Sequence, residues 1–261
     1  MGKIIAVTNQ KGGVGKTTSS INIAASLAAT KRNVLLVDLD PQGNATSGCG
    51  IDKEEIEHHI LDVLLGDKTA RECLVNAEQA GFHILPTNSD LAAAEAHLLT
   101  EENKEGRLKD ALVDLKDEFD YIFIDCPPSL NILTVNALVA ANSVMIPMQC
   151  EYYALEGLKA LLGTIEQITE QVNPTLHIEG LLRTMYDPRN RLAVEVSNQL
   201  HDHFGDKVYR TAIPRNVRLA EAPSYGMPAL MYDRLSRGAK AYLGLAGEMI
   251  RRQETINEAT L

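Results

Sequence analysis

The sequence predicts an α/β fold, a doubly wound, mostly parallel sheet with helices on both faces, and three observations carry that reading. Short β-branched runs alternate with longer helical patterns along the chain. Several runs (IIAV, VLLV, YIFI, VMIP) are apolar throughout rather than at every second residue, as strands buried on both faces are. A glycine-rich turn lies between the first such strand and the first helical pattern, where open sheets of this class hold a ligand.

Taken in order, strands are expected at Lys3–Thr8, Val34–Asp38, His83–Pro86, Tyr121–Asp125, Ser143–Met148, Glu179–Met185 and Val208–Ile213. Helical patterns fall at Thr17–Thr30, Arg107–Glu118, Leu155–Val172 and Ala193–His203. No linker, low-complexity tract or internal repeat interrupts them, so residues 1–261 read as a single domain. The polar stretch 253–261 reads as a frayed tail.

Composition narrows the function classes. Hydrophobic residues at 45% and charged residues at 23% exclude a disordered chain. No apolar run approaches the roughly 20 residues of a membrane-spanning helix. The N-terminus lacks the basic, apolar and cleavage segments of a signal peptide. The four cysteines, Cys49, Cys73, Cys126 and Cys150, form no C-x-x-C pair, so neither zinc nor a disulfide framework is expected, and a reducing cytoplasm is. The net charge of −10 speaks at first against nucleic acid. Residues 181–252, however, hold twelve Lys and Arg against seven Asp and Glu, so the acidity lies elsewhere. A local basic patch can hold phosphates on an acidic protein because charge interactions are screened over short distances, although charge alone equally suits solvated surface arginines.

The segment Gly12-Gly13-Val14-Gly15-Lys16-Thr17-Thr18 follows the first strand and opens an alanine-rich helix. Glycines let successive N–H groups turn inward around an anion, and the helix adds its free N–H groups and positive dipole end. Lys16 is then placed to reach the β- and γ-phosphates of a nucleotide, with the Thr17 hydroxyl on Mg²⁺. Two further strands end in acids, in VLLVDLDPQGN (Asp38, Asp40) and YIFIDCPP (Asp125). Strand ends converge in an open α/β sheet, which sets Asp125 to hold the magnesium ion through a water. A lone strand-end Asp is commonly a turn residue, but three beside a phosphate loop make a site. Both acidic segments run into glycine, proline and polar residues, as switch loops that sense a γ-phosphate do.

The loop departs from G-x-x-x-x-G-K-[ST]: Asn9-Gln10 stands where the first glycine would be, and Lys11 lies just ahead of the glycines. This K-G-G-V-G-K-T-T form resembles the deviant Walker A box of the ParA and MinD group of P-loop ATPases. The strings DLDPQGNATSG, IDCPPSL, QCEYYALEG and IPRNVRLAEAPS extend the resemblance over essentially the whole chain, toward the Soj-type ParA partitioning ATPases. The resemblance implies an ATPase that binds ATP and Mg²⁺, forms an ATP-dependent homodimer, binds double-stranded DNA nonspecifically and is stimulated by a ParB-like centromere-binding protein, in the cytoplasm on the nucleoid. It implies that Lys11 reaches the partner's nucleotide, Asp40 orients the attacking water and Asp38 supports the metal end. By the same resemblance Met185, Pro214 and Asn216 surround the adenine, and Arg189 and Arg218 hold DNA.

Other readings belong to the same group. The loop begins close to the N-terminus, so a preceding repressor domain is not expected. A membrane-cycling relative would carry a basic amphipathic C-terminal helix, which the tail Arg251–Leu261 does not resemble, so membrane attachment is not expected. An electron-transfer relative needs paired cysteines for an iron–sulfur cluster, and Cys126 stands alone beside Asp125. A filament former would show negligible ATP turnover.

Overall fold

The computed structural model describes residues 2–98 and 100–260, without the side chains of Glu95 and of residues 256–260. Among the described residues seven strands, β1 (Lys3–Val7), β2 (Val34–Asp38), β3 (Val75–Ala77), β4 (Phe82–Leu85), β5 (Tyr121–Asp125), β6 (Ser143–Gln149) and β7 (His177–Thr184), form one sheet. Their order is β3-β4-β2-β5-β1-β6-β7, and every neighbouring pair is parallel except β3–β4.

The continuous apolar runs have their explanation in two cores, one on each face. Ile4, Ala6, Leu35, Val37, Ile122 and Ile124 point into one; Ile5, Val7, Val34, Leu36, Tyr121 and Phe123 point into the other. The first face is covered by α3 (Ile60–Leu65), α4 (Leu91–Leu98), α5 (Arg107–Ala111), α6 (Ile132–Ala140), α7 (Ala154–Gln171) and α8 (Arg191–Phe204). The second is covered by α1 (Lys16–Ala28), α2 (Asn44–Gly48), α9 (Val217–Glu221), α10 (Ala229–Tyr232) and α11 (Arg237–Thr260). This is the doubly wound, mostly parallel arrangement that the strand pattern predicts. Helix α1 lies between the sheet and α11, which is why its serines are buried: Ser19 bonds the Tyr242 hydroxyl at 3.0 Å and Ser20 the Asp125 carboxylate at 2.9 Å.

Three sequence expectations are corrected, and one strand went unread. The segment Val208–Ile213 is not a strand. It touches β7 through a bridge of Val208 to Leu181 and the bond from Ile213 N–H to the Arg183 carbonyl, while the N–H groups of Arg210 and Thr211 go to the Glu248 carboxylate. A ladder cannot form where a side chain takes its donors. Strand β3, only three residues with a polar centre, carries too little pattern to be read. The helix expected over 107–118 breaks after Ala111 into a 3₁₀ turn, Val113–Leu115. The tail expected to fray from residue 253 continues α11 as helix to Thr260, and Leu261 lies outside the described residues.

Candidate functional site

The turn after β1 is fixed from both sides before any ligand is considered. Asn9 donates to the Pro147 carbonyl at 2.9 Å and accepts from the Lys11 N–H at 3.0 Å. The Thr184 hydroxyl, at the end of β7, donates to the Val14 carbonyl at 2.7 Å. Gly15 has φ 87° and caps α1, a backbone state that L side chains rarely adopt. A Cβ on Gly12 or Gly13 would meet nothing within 4 Å, so the concave side is open. A glycine-rich turn at the N-terminus of the 13-residue α1 suits an anion, because such a turn and a helix start both offer free backbone N–H groups.

Lys16 is the first residue of that helix and is buried, with its ammonium folded back at 3.3 Å onto the Lys11 carbonyl. Burial lowers its pKa, opposed chiefly by the charge of Asp125 and also by that of Asp40. A desolvated ammonium at the floor of an anion cradle gains from a phosphate what it lacks from water.

The acids stand at adjacent strand ends. Asp38 and Asp125 are register partners of β2 and β5, both fully buried. Their environments differ. Asp38 Oδ2 accepts from both the N–H and the hydroxyl of Thr46, at 2.8 and 2.7 Å, and Oδ1 from the Asp40 N–H at 3.3 Å, so Asp38 pins α2 to the end of β2. Asp125 Oδ1 accepts from Ser20, while its Oδ2 is buried with no partner among the described residues. Burial pushes Asp125 up to about 7, with the Asp38 charge adding to it and the Thr17 and Ser20 hydroxyls opposing. Asp38 is raised to about 6 by burial, against the hydrogen bonds from Thr46 and Asp40. Two buried carboxyls with an orphan oxygen, beside the Thr17 hydroxyl, fit a divalent cation and its water shell. Asp40, nearly buried, accepts from the Gln42 N–H at 3.0 Å and leads into the turn at Gly43.

A cavity of about 170 Å³ adjoins the cradle, and Gly15 and Thr18 belong to its wall. It brings together Met185, Pro214 and Asn216, which lie far apart in sequence from the loop. Sequence reasoning missed Ile213, Leu219 and Tyr242 of the same wall, because nothing in their spacing distinguishes them from core residues. Met185 has φ 48°, which turns the chain out of β7 and sets its sulfur to accept from Gln149 Nε2 at 2.8 Å. Asn216 Oδ1 caps α9 by accepting from the Arg218 N–H at 3.0 Å, which leaves its amide N–H₂ for another acceptor.

Three sequence-selected cations are paired with acids. The half-exposed Lys11 ammonium sits 2.5 Å from Glu151. Arg189 makes a two-point pair with Asp187, at 2.9 and 2.7 Å, and Arg218 pairs with Glu221 at 2.7 Å and Asp233 at 3.3 Å. All four cysteines are free and buried, their thiols raised by burial, so Cys126 is a packed thiol. Among the described residues no helix is long and apolar enough to cross a membrane.

Comparison with known proteins matches residues 2–178 to the AAA domain family. The chain is similar to the sporulation initiation inhibitor protein Soj of Bacillus subtilis, 53% identical over 95% of this chain and 98% of that protein. It is also similar to the chromosome partitioning protein ParA of Myxococcus xanthus, 50% identical over 97% of this chain and 89% of that one. Among solved structures, cobyrinic acid a,c-diamide synthase of Mycobacterium smegmatis with a bound ATP analogue and magnesium superposes with a TM-score of 0.86. That structure is 39% identical, over 97% of this chain and 96% of that one.

Proposed function

The chain belongs to the ParA/Soj family of partitioning ATPases, and from that premise we propose that it is a nucleotide switch that moves DNA by cycling on and off the nucleoid. ATP and Mg²⁺ are its ligands. The observation that carries the reading is the convergence, at the carboxyl ends of β1, β2 and β5, of the Lys16 ammonium, the orphan oxygen of Asp125 and Asp40, with the cavity of Met185, Pro214 and Asn216 against the same loop.

In this reading Gly12, Gly13, Val14, Gly15, Lys16, Thr17 and Thr18 hold the triphosphate, and the base lies against Met185, Pro214 and Asn216. Thr17 and Asp125 hold Mg²⁺, which screens phosphate charge, and Asp38 supports them by fixing the strand end. Asp40 orients the water that attacks the γ-phosphate. Lys11, half exposed, leaves Glu151 to neutralise charge on the nucleotide of a second copy, so hydrolysis awaits a sandwich dimer. The dimer sets two copies of Arg189 and Arg218 along a duplex, and a ParB-like protein triggers turnover that releases it.

The mycobacterial relative carries the name of an amide-forming synthase. No nucleophilic thiol is available here for such chemistry, since all four cysteines are buried and their thiols raised by burial. The partition reading is tested by ATPase assays with and without nonspecific DNA and a ParB-like partner. Turnover that rises when both are added supports it; turnover indifferent to both overturns it.

A further inference from the structure

Beside the base cavity, the chain from Val208 to Thr211 runs without a strand ladder, and two buried charged side chains from different elements take its peptide groups. From β7, the Arg183 guanidinium donates through Nη2 to the carbonyls of Tyr209 and Arg210, at 2.9 and 3.0 Å, and through Nη1 to Ser197 of α8 at 2.9 Å. From α11, the Glu248 carboxylate accepts the N–H groups of Arg210 and Thr211, at 2.8 and 2.9 Å. Both side chains are more than nine-tenths buried, Arg183 at 7% exposure and Glu248 at 6%. Arg252 completes the arrangement, bonding Glu248 at 2.8 Å and the Val208 carbonyl at 3.1 Å while its guanidinium lies 4.3 Å from the centre of the Tyr209 ring.

Burying charge is unfavourable unless it is matched, and here the match is the backbone itself. Glu248 illustrates the balance: burial works to raise its pKa, and the amides of Thr211 and Arg210 together with Arg252 bring it below the usual value. The segment so gripped leads directly into Ile213, Pro214 and Asn216. Ile213 is held in turn by its N–H to the Arg183 carbonyl at 2.8 Å and its carbonyl to the Tyr186 N–H at 2.9 Å. The residue after Arg183 is Thr184, whose hydroxyl holds the phosphate loop at Val14. Arg183 thus stands where the base wall and the phosphate cradle are tied to one strand.

We propose that Arg183 and Glu248 are positioning residues for nucleotide specificity: together they clamp the peptides of 209–211 and so set the distance of the Ile213–Asn216 wall from the phosphate loop. Neither touches the nucleotide. The proposal rests on the nucleotide reading of the cavity, and it separates two parts of the ligand. A loosened clamp blunts recognition of the base while the phosphate loop, anchored through Thr184 and Asn9, keeps its grip on the phosphates.

The experiment measures binding of Mg-ATP, Mg-GTP and inorganic tripolyphosphate by calorimetry, with thermal melting alongside, for wild type, Glu248→Gln and Arg183→Lys. Both substitutions keep side-chain size, and Arg183→Lys keeps charge while losing the two-carbonyl fork. The expected result is an ATP dissociation constant raised about 10-fold and a reduced ATP-over-GTP preference, with tripolyphosphate binding unchanged. ATP affinity and preference equal to wild type in both variants would overturn the clamp. So would a parallel loss of ATP and tripolyphosphate binding, which would mark the pair as general supports of the fold. Should either variant fail to fold, Arg252→Gln removes the third member of the arrangement and is read in the same way. Wild type that binds tripolyphosphate as tightly as ATP would instead count against the base-binding reading of the cavity.

Discussion

Asp38 and Asp125 face each other across adjacent parallel strands with no exposed surface, yet among the described residues only Asp38 has both carboxylate oxygens hydrogen-bonded. The pair therefore carries an unmet charge that a proton or a cation relieves.

Protonation supplies the first prediction. The folded values, about 6 for Asp38 and about 7 for Asp125, lie above the unfolded value of 3.8. The nucleotide-free protein thus binds protons more tightly folded than unfolded. The stability this adds is complete below 3.8 and is lost as pH rises through 6 to 7. Asp125→Asn, which keeps an acceptor for Ser20, should raise the melting temperature of the nucleotide-free protein at pH 8 by roughly 2–8 °C, with a smaller gain at pH 5. Mg-ATP affinity should fall in the same variant at both pH values. A melting temperature at pH 8 equal to or below wild type would show that the pair carries no strain.

Asp40 gives the second. Its carboxylate stands two residues beyond the Asp38 staple, at the start of a turn closed by the Gly43 N–H on the Asp40 carbonyl at 2.8 Å. Removing a group that orients water slows chemistry without loosening phosphate contacts, so Asp40→Ala should retain ATP affinity and lose about 10²-fold or more in turnover. An ATP-bound dimer should accumulate in light scattering. Turnover near wild type would move the role elsewhere, with Asp38 examined next.

How much of this was legible in the sequence follows from how local each feature is. The phosphate loop and the strand-end acids are contiguous in the chain, and their chemistry is written in neighbouring residues. The segment Val208–Ile213 has the composition of a strand, but its donors are taken by Glu248, about forty positions further along the chain, and no local pattern carries that. The same holds for Thr46 on Asp38, Ser20 on Asp125 and Thr184 on Val14. Each is a polar contact between elements that only the fold brings together. The two-core alternation of β1, β2 and β5 was legible, because burial on both faces removes polar residues from both.

Lys11 carries the third prediction. Its ion pair with Glu151 is half exposed, and pairs of that kind contribute roughly 0–1 kcal/mol. Releasing it is therefore easy, and Glu151→Gln should change ATP-dependent dimerisation by no more than about 5-fold. Lys11→Ala should bind ATP with an affinity within about 3-fold of wild type, since the phosphate cradle and Lys16 remain, but should fail to form a stable dimer or hydrolyse normally. Dimerisation and phosphate release equal to wild type would make Lys11 a surface lysine.

The last prediction concerns Arg189 and Arg218, which the structure pairs with Asp187, Glu221 and Asp233. Those pairs do not disqualify them. Arg189 is 88% exposed at its side chain and Arg218 47%, and an exposed pair is weak enough for a nearby phosphate to replace the carboxylate. The acids do set a limit: Asp187, held down to about 2 by its bonds from Arg189, stays ionised throughout the neutral range and competes with DNA. A monomer then has little net attraction to a duplex. The proposed ATP-bound dimer would present each arginine twice, and because each neutralised phosphate contributes roughly −0.9 to the slope of log affinity against log salt, Arg218→Glu should reduce the slope of that dimer by about 2 units. Arg189→Glu should do the same, and affinity should vary little with DNA sequence, since contacts to phosphate carry no base information. Asp187→Asn should act in the opposite direction, tightening binding at low salt by freeing Arg189. The measurement is a salt titration of DNA binding with ATP present, beside a check that each variant still dimerises. Charge-reversed variants that dimerise and keep the wild-type slope would show that both arginines serve only their acidic neighbours.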